Sequence, residues 1–330
     1  MQRIITYKEV EQVVQGAYDS IKGHTGGKNA DYIPYLRDVP SDLFGISVCM
    51  TNGHLVEVGD TTYHFGIESI SKVFTAILAM EQWGADKLLE MIGADATGMP
   101  FNSILAILLE AEHPSTPLVN AGAIAACSAI KPQGDATAKW EAIRGFIEAM
   151  VGSKVSLLDE LYASESETNF NNRSIAWLLQ NYERIYDDPE SSLDLYTRQC
   201  SLSISAQQLA VAAATIAYSG SNPISGEQVF KPNLSPNIVS LMSTVGFYEA
   251  TGDWMYRTGL PAKSGVGGGI MAVVPGVMGI ATFAPPLDGA GNSTKGQEAL
   301  EYIARELGVN IFSADRTAVA TTDELFAGIY

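Results

Sequence analysis

Two hairpin signals stand near opposite ends of the chain with a long helical stretch between them, and this arrangement limits the fold more than any other feature. Phe44–Met50 and His54–Val58 are β-rich runs separated by Thr51-Asn52-Gly53, and an Asn-Gly pair between such runs is a strong short-range hairpin signal. Ile270–Val274 and Val277–Phe283 read as a second pair of strands joined at Pro275-Gly276. From about residue 73 to 227 the pattern is mostly helical, with candidates at 83–93, 102–111, 136–151, 154–162, 171–183, 189–200 and 205–219. Two starts carry capping chemistry: Ser205 ahead of Ala206-Gln207-Gln208 spells a capping box, and Asp188-Pro189-Glu190 puts proline at a first helical position. Residues 7–22 add a helix before the first hairpin, a Pro-containing connector at 230–236 returns the chain to mixed structure, and Gly296–Leu307 closes it as an amphipathic helix. The expected class is α/β (α+β): a mixed antiparallel sheet built from both chain ends and flanked by helices, with an inserted helical subdomain.

Composition narrows the function. With 46% apolar content, 330 residues can bury one large core or two smaller ones that share a cleft. A formal net charge of −17 lacks the basic footprint of a nucleic-acid binder and disfavours anionic membranes. The most apolar stretches, Leu209–Tyr218 and Val273–Phe283, fall short of the ~18 residues of a membrane span and suit core elements. Met1-Gln2-Arg3-Ile4 has no hydrophobic signal core, so a cytoplasmic enzyme is expected. Cys49, Cys127 and Cys200 are scattered and odd in number, which builds neither a disulfide framework nor a zinc spacing. His24, His54, His64 and His113 lack the i, i+4 spacing of a helical metal pair, and no metal site is indicated. Gly23–Lys28 is one residue short of a phosphate loop and is followed by Asn29 rather than Ser or Thr. Gly265-x-Gly267 meets Ile270 where a dinucleotide fingerprint needs glycine.

Ser69-Ile70-Ser71-Lys72 lies at the junction of the first hairpin and the helical stretch. Ile70, Val73, Phe74, Ile77 and Leu78 form an apolar stripe at helical spacing, and Gly84 is a plausible C-cap. Residues three apart share a helix face, so Ser69 is placed beside Lys72, while Ser71 is turned about 100° away. A serine hydroxyl needs a base to become a nucleophile, and a lysine serves once its pKa falls toward neutrality. Alone the pattern is loose, since a serine near a helix start and a solvated lysine spell it equally well.

Lys263-Ser264-Gly265-Val266-Gly267-Gly268-Gly269 directly precedes the second hairpin. A cation there can help depress the Lys72 pKa and attract a carboxylate, and a backbone N–H can point at a developing oxyanion. A tight turn before a strand would be spelled the same way. Ser-x-x-Lys early and Lys-Ser-Gly late, across a helical insertion, match the organisation of penicillin-recognising Ser–Lys acyltransferases.

Further segments extend the match: Asp31-Tyr32-Ile33-Pro34, Pro100-Phe101-Asn102-Ser103, Leu118-Val119-Asn120-Ala121-Gly122-Ala123-Ile124, Tyr196 with Cys200-Ser201, and Gly291-Asn292-Ser293. On these, from about Asp31 to Ile311, the chain resembles the serine-dependent bacterial glutaminases, which look like relatives of the β-lactamase and penicillin-binding fold. The resemblance implies one catalytic unit over 1–330 in two parts, a sheet-containing part of 1–68 plus 230–330 and a mainly helical part of 69–229, with the site at their interface. It implies Ser69 as nucleophile and Lys72 as its base, with Tyr248 and Lys263 in the catalytic group. Implied substrate-binding positions are Ser69, Asn120, Glu165, Asn172, Tyr196, Tyr248 and Val266, the last through its backbone. Asn172 is preferred to Asn171 because it falls seven residues after Glu165. Glu68 stands where Gln is expected in many members, and Thr244-Val245 precede Tyr248 where small polar residues are usual. No cofactor is implied; the implied partner is a small-molecule substrate, L-glutamine, and the implied assembly a homo-oligomer, dimer or tetramer.

Glutamine presents a neutral amide at one end and a zwitterion at the other. Glu165 can accept from the ammonium, while Asn120 and Asn172 can donate to the carboxylate. By their local sequence alone, Glu165 reads equally as a solvated helix edge and Asn120 as a cap. The expected reaction is double displacement through a γ-glutamyl ester, with the N–H groups of Ser69 and Val266 on the oxyanion. Either Tyr248 or Tyr196 would assist the departing ammonia. A β-lactamase or peptidoglycan peptidase shares the Ser–Lys core, but the middle Ser-x-Asn element of those enzymes has only Ser235-Pro236-Asn237 as a candidate. A non-catalytic amino-acid sensor on the same fold is the other alternative.

Overall fold

The computed structural model describes residues 3–109, 113–314 and 317–319. The two hairpins meet in one five-stranded antiparallel sheet, in the order Leu55–Gly59, Gly45–Met50, Met278–Phe283, Gly269–Val274, Ala262–Ser264. The join between the chain ends is the pairing of Gly45–Met50 with Met278–Phe283, where Val48 lies opposite Ile280. The expected sheet, assembled from both ends of the chain, is therefore present.

Side chains alternate across that sheet and feed two hydrophobic cores. Ile46, Val48, Met50, Ile270, Ala272 and Ile280 face a core completed by the helices Tyr7–Ile21 and Thr294–Leu307. Cys49, Met271, Val273, Ala281 and Phe283 face the other core, which the helical part fills. The three central strands are buried at every position because helices cover both faces. The Ala206–Ala217 helix lies directly against the sheet: a Cβ at Gly279 would stand 2.2 Å from the Ala214 nitrogen. Its predicted capping box is present, with Ser205 and Gln208 reciprocally bonded, and Asp188 caps Pro189–Cys200 by accepting from Ser191 N–H.

Four elements differ from the sequence expectations. The helix placed at 154–162 runs from Asp159 to Thr168, because residues 156–158 are extended against 201–203, with Leu158 N–H on Ser201 O. The connector at 230–236 is only a short turn. Ser235–Val245 and Thr251–Thr258 follow as helices, the first with proline in its opening turn, where a missing N–H costs no helical bond. Asn120–Ala129 is a helix with no amphipathic stripe, since all ten residues are buried. The helix expected at 102–111 spans Ile104–Leu109; positions 110–111 lie outside the described residues.

The segment that carries the strand Ala262–Ser264 is fixed through Gly246, whose carbonyl accepts from Ser264 N–H. A Cβ at Gly246 would stand 1.6 Å from Ala262 O. Gly246→Ala is therefore expected to lower stability by about 1–3 kcal/mol as strand and helix are forced apart. Urea denaturation checks this, and an unchanged midpoint would contradict the packing.

Candidate active site

Phe65–Gly66 pairs with Ser203–Ile204, and a 3₁₀ turn at Glu68–Ile70 then leads into the helix Ser71–Trp83. Ser69 thus stands at the entrance of a helical stretch, where the first N–H groups have no intrahelical acceptor. Lys72 Nζ lies 2.9 Å from Ser69 Oγ. Ser71 turns the other way: its hydroxyl donates to Glu68 O at 2.6 Å and abuts Cys200 Sγ. As the helical period predicts, Ser69 and not Ser71 lies beside Lys72.

The Lys72 amine is only 1% exposed and sits in an aromatic box, 5.7–5.9 Å from the ring centroids of Phe101, Tyr196 and Tyr248. It donates to Asn120 Oδ1 at 2.7 Å, and Tyr196 Oη donates to the same oxygen at 3.1 Å. Burial pulls its pKa down to about 8, against the opposing pull of Cys200, Glu68 and Glu165. An amine poised there is a competent base near neutral pH. Dehydration is the dominant cause, not the neighbouring cation expected from the sequence. Lys263 Nζ instead donates to Ser264 O at 2.7 Å and Gly246 O at 3.2 Å, 4.0 Å from the Tyr248 ring centroid. Burial, then Lys72, holds the Lys263 pKa well below the usual lysine range.

Tyr248 occupies the other side of Ser69. Its backbone φ is +56°, its ring packs on Phe101, and its hydroxyl donates to Ser264 O at 3.3 Å while lying within hydrogen-bonding reach of Ser69. Burial raises its pKa beyond the usual tyrosine range. Gly265 N–H and Gly268 N–H close the turn after the strand on Gly269 O and Gly265 O, which leaves Val266 N–H outside those bonds. Ser264 itself is anchored by Asn292.

Ser69, Asn120, Glu165, Asn172, Tyr196 and Val266 all line one cleft of about 220 Å³. The Glu165 carboxyl and the Asn172 amide lie on the helices Asp159–Thr168 and Phe170–Asn181. Asn120 Nδ2 donates to Asn172 Oδ1 at 2.8 Å, so its amide is spent on Lys72, Tyr196 and Asn172, leaving Asn172 Nδ2 to offer to a ligand. Tyr32, Phe101 and Asn102 also line the cleft and were not singled out from the sequence. All three lie within segments that carried the resemblance, which was the available signal. Among the described residues, no group of three or more His, Cys, Asp or Glu is disposed to hold a metal.

A hydroxyl against a dehydrated amine, between a lysine-bearing strand and a helical lobe, is the arrangement that Ser–Lys acyl transfer requires. The glutaminase family model matches residues 27–312. A glutaminase of Bacteroides thetaiotaomicron is 62% identical over 319 residues, which is 97% of this chain and 99% of that protein. One from Escherichia coli O81 is 46% identical, covering 92% of this chain and 98% of its own. The solved structure of the probable glutaminase YbaS superposes with a TM-score of 0.92 at 45% identity, covering 94% of this chain and all of that one. A probable glutaminase of Bacillus subtilis gives 0.81 at 30%, covering 93% and 96%. The chain belongs to the glutaminase family and has its β-lactamase-like fold.

Proposed function

We propose that the enzyme hydrolyses L-glutamine to L-glutamate and ammonia through a γ-glutamyl ester on Ser69. The observation that carries this reading is the 2.9 Å approach of Lys72 Nζ to Ser69 Oγ, in a cleft that also presents the Glu165 carboxyl and the Asn172 amide. Glu165 receives the substrate ammonium, and Asn172 with Tyr196 faces its carboxylate. Asn120 orients Lys72 and Asn172 together. Neutral Lys72 takes the Ser69 proton, and the oxygen attacks the side-chain carbonyl. The N–H groups of Ser69 and Val266 receive the oxyanion, each contributing roughly 3–4 kcal/mol to the transition state. Tyr248, facing Ser69, passes a proton to the departing ammonia and regains one from protonated Lys72, which restores the neutral amine; Lys263 holds the Tyr248 ring and the Ser264 carbonyl in place. Water, activated by Lys72, then cleaves the ester.

This reading makes residues 1–68 with 230–330 and residues 69–229 two parts of one catalytic unit. Its support is that Ser69, Lys72, Asn120, Glu165, Asn172 and Tyr196 reach the site from one part, and Tyr248, Lys263 and Val266 from the other. It places the enzyme in the cytoplasm as a homo-oligomer: three buried free cysteines suit a reducing compartment, and sedimentation measures the assembly. No helix among the described residues is long and apolar enough to cross a membrane. The β-lactamase alternative loses its middle element, since Ser235 donates to Ile216 O and Asn237 lines a different cavity, beside Met80 and Leu88.

Coupled ammonia release from L-glutamine tests the proposal, with L-asparagine and nitrocefin in parallel. Nitrocefin turnover without glutamine turnover would reverse it, and glutamine binding without ammonia would leave a sensor. Glu165→Gln is expected to raise KM for glutamine by about tenfold or more, with a smaller change in kcat, because a charge-assisted contact to the ammonium is lost. A normal KM in that variant would remove Glu165 from the pocket.

A further inference from the structure

Glu68, the residue immediately before Ser69, is 4% exposed and holds a backbone φ of +52°, in the left-handed region that non-glycine residues rarely adopt. Its side chain lies in a slot walled by backbone. A Cβ at Gly265, Gly267 or Gly66 would stand 3.2 Å from its Cβ, 3.3 Å from its Cγ and 3.4 Å from its Oε1 respectively. The slot aims the carboxyl into the cleft, toward Glu165. Oε1 of Glu68 and Oε1 of Glu165 are both shut off from water, and neither meets a donor among the described residues. The two carboxyls lie within hydrogen-bonding reach of one another, yet two carboxylates have nothing to donate. One proton between them turns a repulsion into a charge-assisted hydrogen bond.

The surroundings do not neutralise a second negative charge. Lys72 directs its amine to Ser69 Oγ and Asn120 Oδ1 rather than to either carboxyl. Lys263 lies behind Tyr248 on two backbone carbonyls. The remaining titratable neighbours, Tyr32, Tyr196, Tyr248 and Cys200, are all held in their neutral forms, with burial the first cause for each.

We propose that Glu68 is a positioning residue that carries a proton shared with Glu165, so that the pair presents one negative charge to the substrate ammonium and leaves Lys72 neutral. This rests on the glutaminase reading of the site. Burial first, and Glu165 second, hold the Glu68 carboxyl well above the usual range, while burial also raises Glu165. The protonated form of Glu68 therefore persists at pH values where an exposed carboxyl is ionised. An ionised Glu68 would raise the Lys72 pKa, so a shared proton helps that amine stay neutral. Glutamine at position 68 would reproduce the donor without the titration.

Two measurements test this. In the infrared difference spectrum of substrate-free wild type against Glu68→Gln at pH 7, the wild type should show the carbonyl band of a protonated carboxylic acid. Absence of that band would overturn the proposal, and this readout needs no turnover. In kinetics, Glu68→Gln should leave the acid limb of kcat/KM in place, while Glu68→Ala should raise KM by about tenfold or more as Glu165 loses its support. An acid limb moved down by about one pH unit or more in Glu68→Gln would mean that wild-type Glu68 is ionised, and would overturn the proposal. So would a wild-type KM in folded Glu68→Ala. If the wild type released no ammonia from glutamine, the functional reading would fail while the infrared band still decided the shared proton.

Discussion

Ser69→Ala and Lys72→Ala are each expected to lower kcat by about ten-thousand-fold or more, while Ser71→Ala should stay within a few-fold of wild type. The size follows from the roles: without Ser69 Oγ no ester forms, and without the amine 2.9 Å away nothing takes the hydroxyl proton. The double variant should be little worse than either single one, because nucleophile and base act as a unit. Ser71 is the internal control. It is buried and turned about 100° around the helix from its neighbour Lys72, and its hydroxyl bonds Glu68 O rather than entering the cleft, so its loss costs about 1 kcal/mol of stability and little chemistry. Ammonia release with each purified, folded variant checks all four. A Ser71→Ala loss as large as that of Ser69→Ala would move the nucleophile.

Between pH 8 and pH 6, kcat/KM is expected to fall by about fiftyfold. Lys72 must be neutral to act, and its pKa is pulled down to about 8 by burial. Below that value the protonated amine dominates, so activity drops about tenfold for each pH unit. The shift sets where the profile levels off: a lysine left near its usual 10.5 would go on gaining activity up to that value, whereas here the rise ends near pH 8. Lys72→Arg serves as the control, since a guanidinium keeps its proton at every accessible pH and the variant should be inactive throughout. A flat profile from pH 6 to pH 8 would contradict a lysine base in this environment.

Legibility in the sequence divided along a physical line. Local geometry was readable: Ser69 and Lys72 are three residues apart on one helix face, and the Asn52-Gly53 turn marked its hairpin. Pairing of the two hairpins into one sheet was readable because each brings strands with a clear apolar pattern. Asn120 was harder, because its helix is buried all round and shows no stripe to count. That it accepts from Lys72, 48 residues away in sequence, is a property of packing. The same holds for the choice between the two tyrosines: only the tertiary arrangement sets Tyr248 against Ser69 and Tyr196 against Asn120. Glu68 was noticed as a residue out of pattern, but its meeting with Glu165 depends on a slot formed by glycines from two distant segments.

The proposed chemistry turns on a covalent ester at one particular hydroxyl, Ser69 Oγ. Acid quenching of the enzyme during turnover of L-glutamine, followed by peptide mass spectrometry, tests it most directly. A γ-glutamyl group on Ser69, absent from the same peptide of Ser69→Ala, is the predicted result. The group on Ser71 or Tyr248 with Ser69 unmodified, or undiminished turnover by Ser69→Ala, would contradict it.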